Sequence, residues 1–178
     1  QFSTTTSGSS FLSWKEAAKK NKYKVKTKIV CCYPEDENFI LAHTKNIQNT
    51  LNKIKTNKKQ KTKLLFSAHG LPEKIIKKGD PYQNQIEKTV NKILKNMNNK
   101  EFSHTICYQS KVGPLKWIGP STENEIIKSS KDKDTIVLIP IAFVSEHSET
   151  LVELDIEYKE VAKLNGCKNY YRVPALGI

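Results

Sequence analysis

Arginine is nearly absent: Arg172 stands alone among 30 basic residues, and the others are lysines. Base reading draws on the flat bidentate fork of a guanidinium. A net charge of +12 carried by lysine therefore speaks for a solvated coat, or for weak attraction to an anionic membrane surface. No nucleic-acid-binding signature accompanies it. No apolar run approaches the roughly 20 residues of a membrane-spanning helix, and the opening residues do not read as a secretory leader. No cysteine pair has CxxC spacing. Cys31, Cys32, Cys107 and Cys167 read as reduced, structural thiols, which suits a cytosol-like compartment. With neither an HExxH pair nor a cysteine cluster, a closed structural zinc site is not expected. The sequence opens on Gln1, which fits a chain that begins inside a longer protein.

What is present is an alternation. The 178 residues suffice for one domain with a real core. Short apolar runs at Lys26–Tyr33, Thr62–Ala68, Ser103–Tyr108, Thr135–Ile141 and Lys168–Val173 read as strands. Between them, residues 11–22, Asn38–Lys55, Gln83–Met97, Ser121–Ser130 and Glu149–Asn165 carry helical periodicity or caps. Strands alternating with helices predict an α/β fold, a three-layer sandwich around a parallel sheet of flavodoxin- or Rossmann-like topology. No internal repeat stands out.

In such sheets ligands sit beyond the carboxyl ends of the strands. Three polar clusters follow strands here: SAHGLP (67–72), QSKVGPLKW (109–117) and FVSEHSE (143–149). They are expected to line one edge. His69 lies between a buried strand and Gly70, where it reads as a base, a metal ligand or a satisfied core residue. Glu149 is its natural partner from the opposite loop. One histidine and one carboxylate suit a borderline divalent metal such as ferrous iron and leave coordination positions open. Beyond them stand Glu153 and Glu157, spaced by four. On a straight α-helix such a row spirals, about 40° per step; a π-type widening would align it. Like charges at that spacing repel by a few tenths of a kcal/mol per pair, and a passing cation would offset that. An ordinary solvated acidic face is the plainer reading, and it fits Glu157 best. His43 and His104 have no such company and read as structural. Phe143 and Trp117 read as core, or as walls for a flat apolar ligand.

SAHGLP, GDPY, YQSKVGPLKWIGPST and PIAFVSEHSETLVELDIEY, in that order and register, resemble ferrochelatases. STTTSGSS is similar to the segment where that family's first half joins its second. The resemblance covers essentially the whole chain. It implies two similar α/β domains with a porphyrin between them, and insertion of ferrous iron to make haem. Residues 1–25 would then be the interdomain segment and first helix, and 26–178 the C-terminal domain. The family's first domain and final helix would lie outside this sequence. It implies His69 and Glu149 as the catalytic and metal-binding pair, Glu153 and Glu157 as an acidic relay on a π-distorted helix, and Phe143, Trp117, Ser110, Lys111 and His147 at the porphyrin pocket. Ferrous iron is a substrate; no prosthetic group and no iron–sulphur cluster is expected. Expected partners are the porphyrin, the iron, the other half of the protein and a membrane periphery, with no nucleic acid. The implied setting is cytoplasmic, at the inner membrane's periphery, or alternatively an organelle matrix. The rivals are a related tetrapyrrole chelatase for cobalt or nickel, and a non-catalytic basic binding domain.

Overall fold

Three apolar runs form the centre of the sheet. They are β1 (Thr62–His69), β2 (Ser103–Gln109) and β3 (Thr135–Pro140), with a short β4 (Tyr170–Arg172). The computed structural model describes residues 1–54, 61–98 and 102–177. Every pairing is parallel, in the order β2–β1–β3–β4. The helices are α1 (Ser9–Lys20), α2 (Glu37–Leu51), α3 (Glu73–Lys77), α4 (Tyr82–Asn96), α5 (Thr122–Lys131), α6 (Ser148–Leu151) and α7 (Tyr158–Leu164). Two π segments, Thr4–Gly8 and Glu153–Glu157, run into α1 and α7.

Side chains along β1 alternate between two cores, the period of two that a strand dictates. Leu64, Phe66 and Ala68 pack with Val137 and Ile139 under Ile47 of α2 and Ile86, Val90 and Ile93 of α4. On the other face Leu65, Cys107, Ile136 and Leu138 meet Ile126 of α5 and Leu154, Tyr158 and Ala162 of the π segment and α7. The sheet is thus covered on both sides, the three-layer α/β arrangement expected. Each fully buried Leu or Ile contributes roughly 1.5–3 kcal/mol through lost contact with water. Helix starts follow the sequence signals. Asp36 accepts the Phe39 N–H to cap α2, and Ser121 accepts the Asn124 N–H to cap α5.

Two departures from the expected elements matter. The strand expected at Lys26–Tyr33 does not form: the segment is without a ladder, and Val25, Ile29, Val30 and Tyr33 are exposed. An apolar run becomes a strand only where a neighbour supplies ladder hydrogen bonds, and no described strand borders it. The helix expected at Glu149–Asn165 is divided into α6, the π segment and α7. In addition α3 goes unsignalled, and the first helix begins two residues early. Lys55, the expected end of α2, lies outside the described residues. No described helix is long and apolar enough to cross a membrane.

His43 is buried on α2 against the edge of Phe39, as the structural reading expects, and its Nε2 has no hydrogen-bond partner. Burial holds its pKa down at about 4, against an ordinary 6.5. The unfolded chain therefore takes up the proton first. The neutral ring's full contribution is present above pH 6.5 and is lost as pH falls towards 4. The drop is about 3 kcal/mol. Urea titrations of the parent and His43→Leu across that window check this: the substitution flattens this part of the decline and is neutral or stabilising at pH 7.

Candidate active site

The carboxyl ends of β1, β2 and β3 carry the three polar clusters to one edge, and backbone hydrogen bonds zip the first two together. Gly70 N–H donates to Gln109 O (2.9 Å), Ile118 N–H to Leu71 O (3.0 Å) and Glu73 N–H to Lys116 O (2.9 Å). Trp117 donates its indole N–H to Val112 O at 3.1 Å, folding its loop back on itself. Gly70 is required at the seam. A Cβ there would lie 3.0 Å from both Gln109 O and the Trp117 ring. Gly70→Ala is expected to cost about 1–3 kcal/mol by overpacking, read as a lowered urea midpoint.

A cleft of about 420 Å³ opens at this edge. His69, Ser110, Lys111 and Trp117 line one side, and Glu149, Glu153 and Glu157 the other. A larger hollow of about 1170 Å³ lies at the opposite edge, where Lys61, Lys63 and Lys128 mingle with Glu125, Asp132 and Asp134. Its described lining holds no histidine and no aromatic ring, whereas the smaller cleft has both. Within it, His69 Nδ1 lies 2.6 Å from Gly70 O. A carbonyl only accepts, so Nδ1 carries a proton, and in the neutral ring the lone pair is on Nε2. That nitrogen is the one available to a proton or a metal.

The acids sort into three groups by their partners. Glu146 and Asp155 are tied to Arg172, whose guanidinium grips both Asp155 oxygens at 2.7 Å and Glu146 Oε1 at 2.6 Å. Burial alone would depress the Arg172 pKa; these carboxylates outweigh it and raise it. Glu153 accepts four hydrogen bonds, from Gln109 Nε2 (2.9 Å), Ser110 N (2.9 Å), Ser110 Oγ (2.6 Å) and Tyr158 OH (2.8 Å). Burial, and then this carboxylate, push the Tyr158 phenol far above its ordinary pKa, so it remains a donor. Glu149 and Glu157 form the third group. Among the described residues neither carboxylate has a hydrogen bond or ion pair, and both face the cleft. The π segment makes this possible: Ile156 and Glu157 N–H both reach Val152 O at 3.0 Å. The widened turn brings Glu149, Glu153 and Glu157 to the same cleft, against the spiral of a straight helix.

Among the described residues no group of three or more His, Cys, Asp or Glu closes into a metal cage. His69 and Glu149 are two groups able to donate to a metal, and both line the open cleft. Sequence comparison decides the lineage. Residues 1–178 match the ferrochelatase family profile throughout. The chain belongs to the ferrochelatase family. The Pelagibacter ubique ferrochelatase is 64% identical over 177 residues, which is 99% of this chain and 50% of that protein. Those of Rickettsia bellii and Hyphomonas neptunium are each 48% identical, covering 99% and 100% of this chain and 47% and 48% of theirs. The chain spans about half the length of these relatives.

Phe143 and His147, which the ferrochelatase resemblance puts at the porphyrin pocket, stand beside this cleft without lining it. Phe143 is buried and packs on the His147 ring, centroids 5.1 Å apart. His147 caps α6: its Nδ1 accepts the Glu149 N–H at 3.2 Å, while its own N–H donates to Thr150 Oγ1. The half-buried His147 ring is thus held by the acceptor that a helix start needs. Ser110 lines the cleft with a backbone φ of +60°, its hydroxyl committed to Glu153. Sequence reasoning missed Gln109, Tyr158 and the clamp on Asp155. The signals were slight: Gln109 sits inside a quoted motif, and Arg172 is the only arginine.

Proposed function

We propose that this chain supplies one wall of a ferrochelatase site, where ferrous iron is exchanged for two pyrrole protons of a porphyrin. The observation that carries this is the cleft shared by the His69 imidazole, its Nε2 lone pair free, and the unpartnered carboxylates of Glu149 and Glu157. Insertion of Fe²⁺ with release of two protons leaves total charge unchanged, but the site must receive a cation and export protons. Nε2 of His69 provides the lone pair that either ligation or deprotonation needs near neutral pH. Glu149 faces it as counter-charge, and Glu157 stands at the solvent end as the point of entry. Glu153 works as a fixed anion between them. The Trp117 ring, 6.4 Å from His69, offers a wall for a flat apolar macrocycle.

In this reading iron is substrate and no prosthetic group takes part. The other partner is polypeptide corresponding to the rest of its relatives' length, which completes the cleft. The lysine coat gives salt-sensitive attraction to an anionic membrane surface, at the cytoplasmic or organelle-matrix face. An anaerobic insertion assay tests the function, with porphyrin plus ferrous iron or zinc followed by absorbance and fluorescence. It is run with the chain alone and with the complementary half of the Pelagibacter ubique relative added. Metalloporphyrin in either arm supports the reading, and none in both overturns it. Preference for cobalt or nickel in a more carboxylated tetrapyrrole would favour the related chelatase.

A further inference from the structure

Both walls of the cleft meet on a single buried residue. Gln109 ends β2 and is 1% exposed. Its Nε2 donates to Glu149 O (3.1 Å) and to Glu153 Oε2 (2.9 Å), across to the acidic wall. Two acceptors on that side fix the amide orientation, because only the nitrogen can donate. Its Oε1 accepts from Ser67 Oγ at 2.8 Å. The single Ser67 proton is thereby used, so Thr122 donates to Ser67 Oγ, 2.8 Å away. Its backbone carbonyl accepts the Gly70 N–H, which belongs to the residue whose own carbonyl holds His69 Nδ1. One residue therefore ties the His69 loop, the α5 start, the Glu149 backbone and the Glu153 carboxylate.

We propose that Gln109 is a positioning residue: it sets the separation and orientation of His69 and Glu149 for a divalent metal without touching the metal. This rests on the proposed metal site. The physical case is rigidity. Among the described residues neither His69 nor Glu149 has a side-chain partner spanning the cleft, so their relative placement is inherited from backbone, and Gln109 joins the two backbones, its amide to Glu149 O and its carbonyl to the Gly70 N–H. Its own hydrogen-bonding groups are all used, which fixes its rotamer. A partner one shell out from a metal site, when lost, typically weakens metal binding about 10–100-fold.

The test uses divalent cobalt as probe, with this chain alone and no porphyrin. Binding is followed by calorimetry and by the visible absorption of the bound ion. His69→Ala is the control, Gln109→Met keeps volume but no side-chain hydrogen bonds, and Ser67→Ala releases the Oε1 end of Gln109 together with the Thr122 hydroxyl. The expected result is loss of binding in His69→Ala and about 10–100-fold weaker binding with an altered cobalt spectrum in Gln109→Met. Ser67→Ala should weaken binding about fivefold, one neutral hydrogen bond's worth. If Gln109→Met does not fold, Ser67→Ala decides. Unchanged cobalt affinity and spectrum in a folded variant, even one with a lowered Tm, overturns the positioning role while leaving the site intact. Cobalt binding that survives His69→Ala overturns the metal-site reading itself, and the positioning role with it.

Discussion

On the proposed function, His69→Ala and Glu149→Gln are each expected to lower the rate of metal insertion by about 10²–10⁴-fold, the range for losing a positioned proton-transfer group. The two should differ in kind. His69→Ala removes the Nε2 lone pair whose availability is fixed by the Nδ1–H···O bond to Gly70, so added imidazole restores part of the rate. Glu149→Gln keeps the shape and the backbone contact from Gln109 but removes the charge, so no small base rescues it. The measurement is the initial rate of metalloporphyrin formation with zinc, with folding checked by circular dichroism. Loss in both with imidazole rescue of only the first separates a lost lone pair from a damaged cleft. Glu157→Gln should have the smaller effect, because that acid is exposed at the rim.

Arg172→Ala is expected to cost about 2–3 kcal/mol of stability. Breaking a buried ion pair by deleting one partner costs roughly 3–5 kcal/mol, and the solvent reach of Asp155 and Glu146 reduces it. Side-chain exposure is 12% for Arg172 but 35% and 31% for the two acids. Without the guanidinium, two carboxylates are left together between β4, the π segment and the loop after β3. Arg172→Lys should recover less than half of the loss, because an ammonium cannot grip both Asp155 oxygens at once. Urea unfolding measures both. The same deletion should slow insertion about tenfold through displacement of the π segment; a variant destabilised as predicted but fully active would separate the clamp from the site.

The sheet was legible wherever an apolar run was buried on both faces, as in β1 and β3, and wherever a helix announced itself by a cap, as Ser121 does for α5. Lys26–Tyr33 carried the same signal and gave no strand. Periodicity reports which side chains avoid water, whereas a strand also needs a neighbour's backbone. The site was legible as an edge: His69, Glu149, Glu153, Glu157, Ser110, Lys111 and Trp117 all line one cleft. Direction was not legible. Phe143 and His147 stand at the same edge without lining the cleft, Phe143 buried and His147 capping α6, because rotation about a loop leaves no trace in spacing. Nor does sequence divide an acid ladder by partner. Glu146 and Asp155 are claimed by Arg172 from a strand end far along the chain, and Glu153 by Gln109 and Ser110 from another strand end. Only the folded chain separates those anions from Glu149 and Glu157.

On the proposed function, His69 and Glu149 receive a divalent metal together, through Nε2 and the carboxylate. A crystal structure of this chain soaked with zinc tests it most directly. The expected result is one ion in the cleft, about 2.0–2.1 Å from His69 Nε2 and about 2.0–2.2 Å from a Glu149 oxygen, with water completing its shell and Nδ1 still bonded to Gly70 O. An ion held elsewhere, with His69 and Glu149 both unligated, would contradict it.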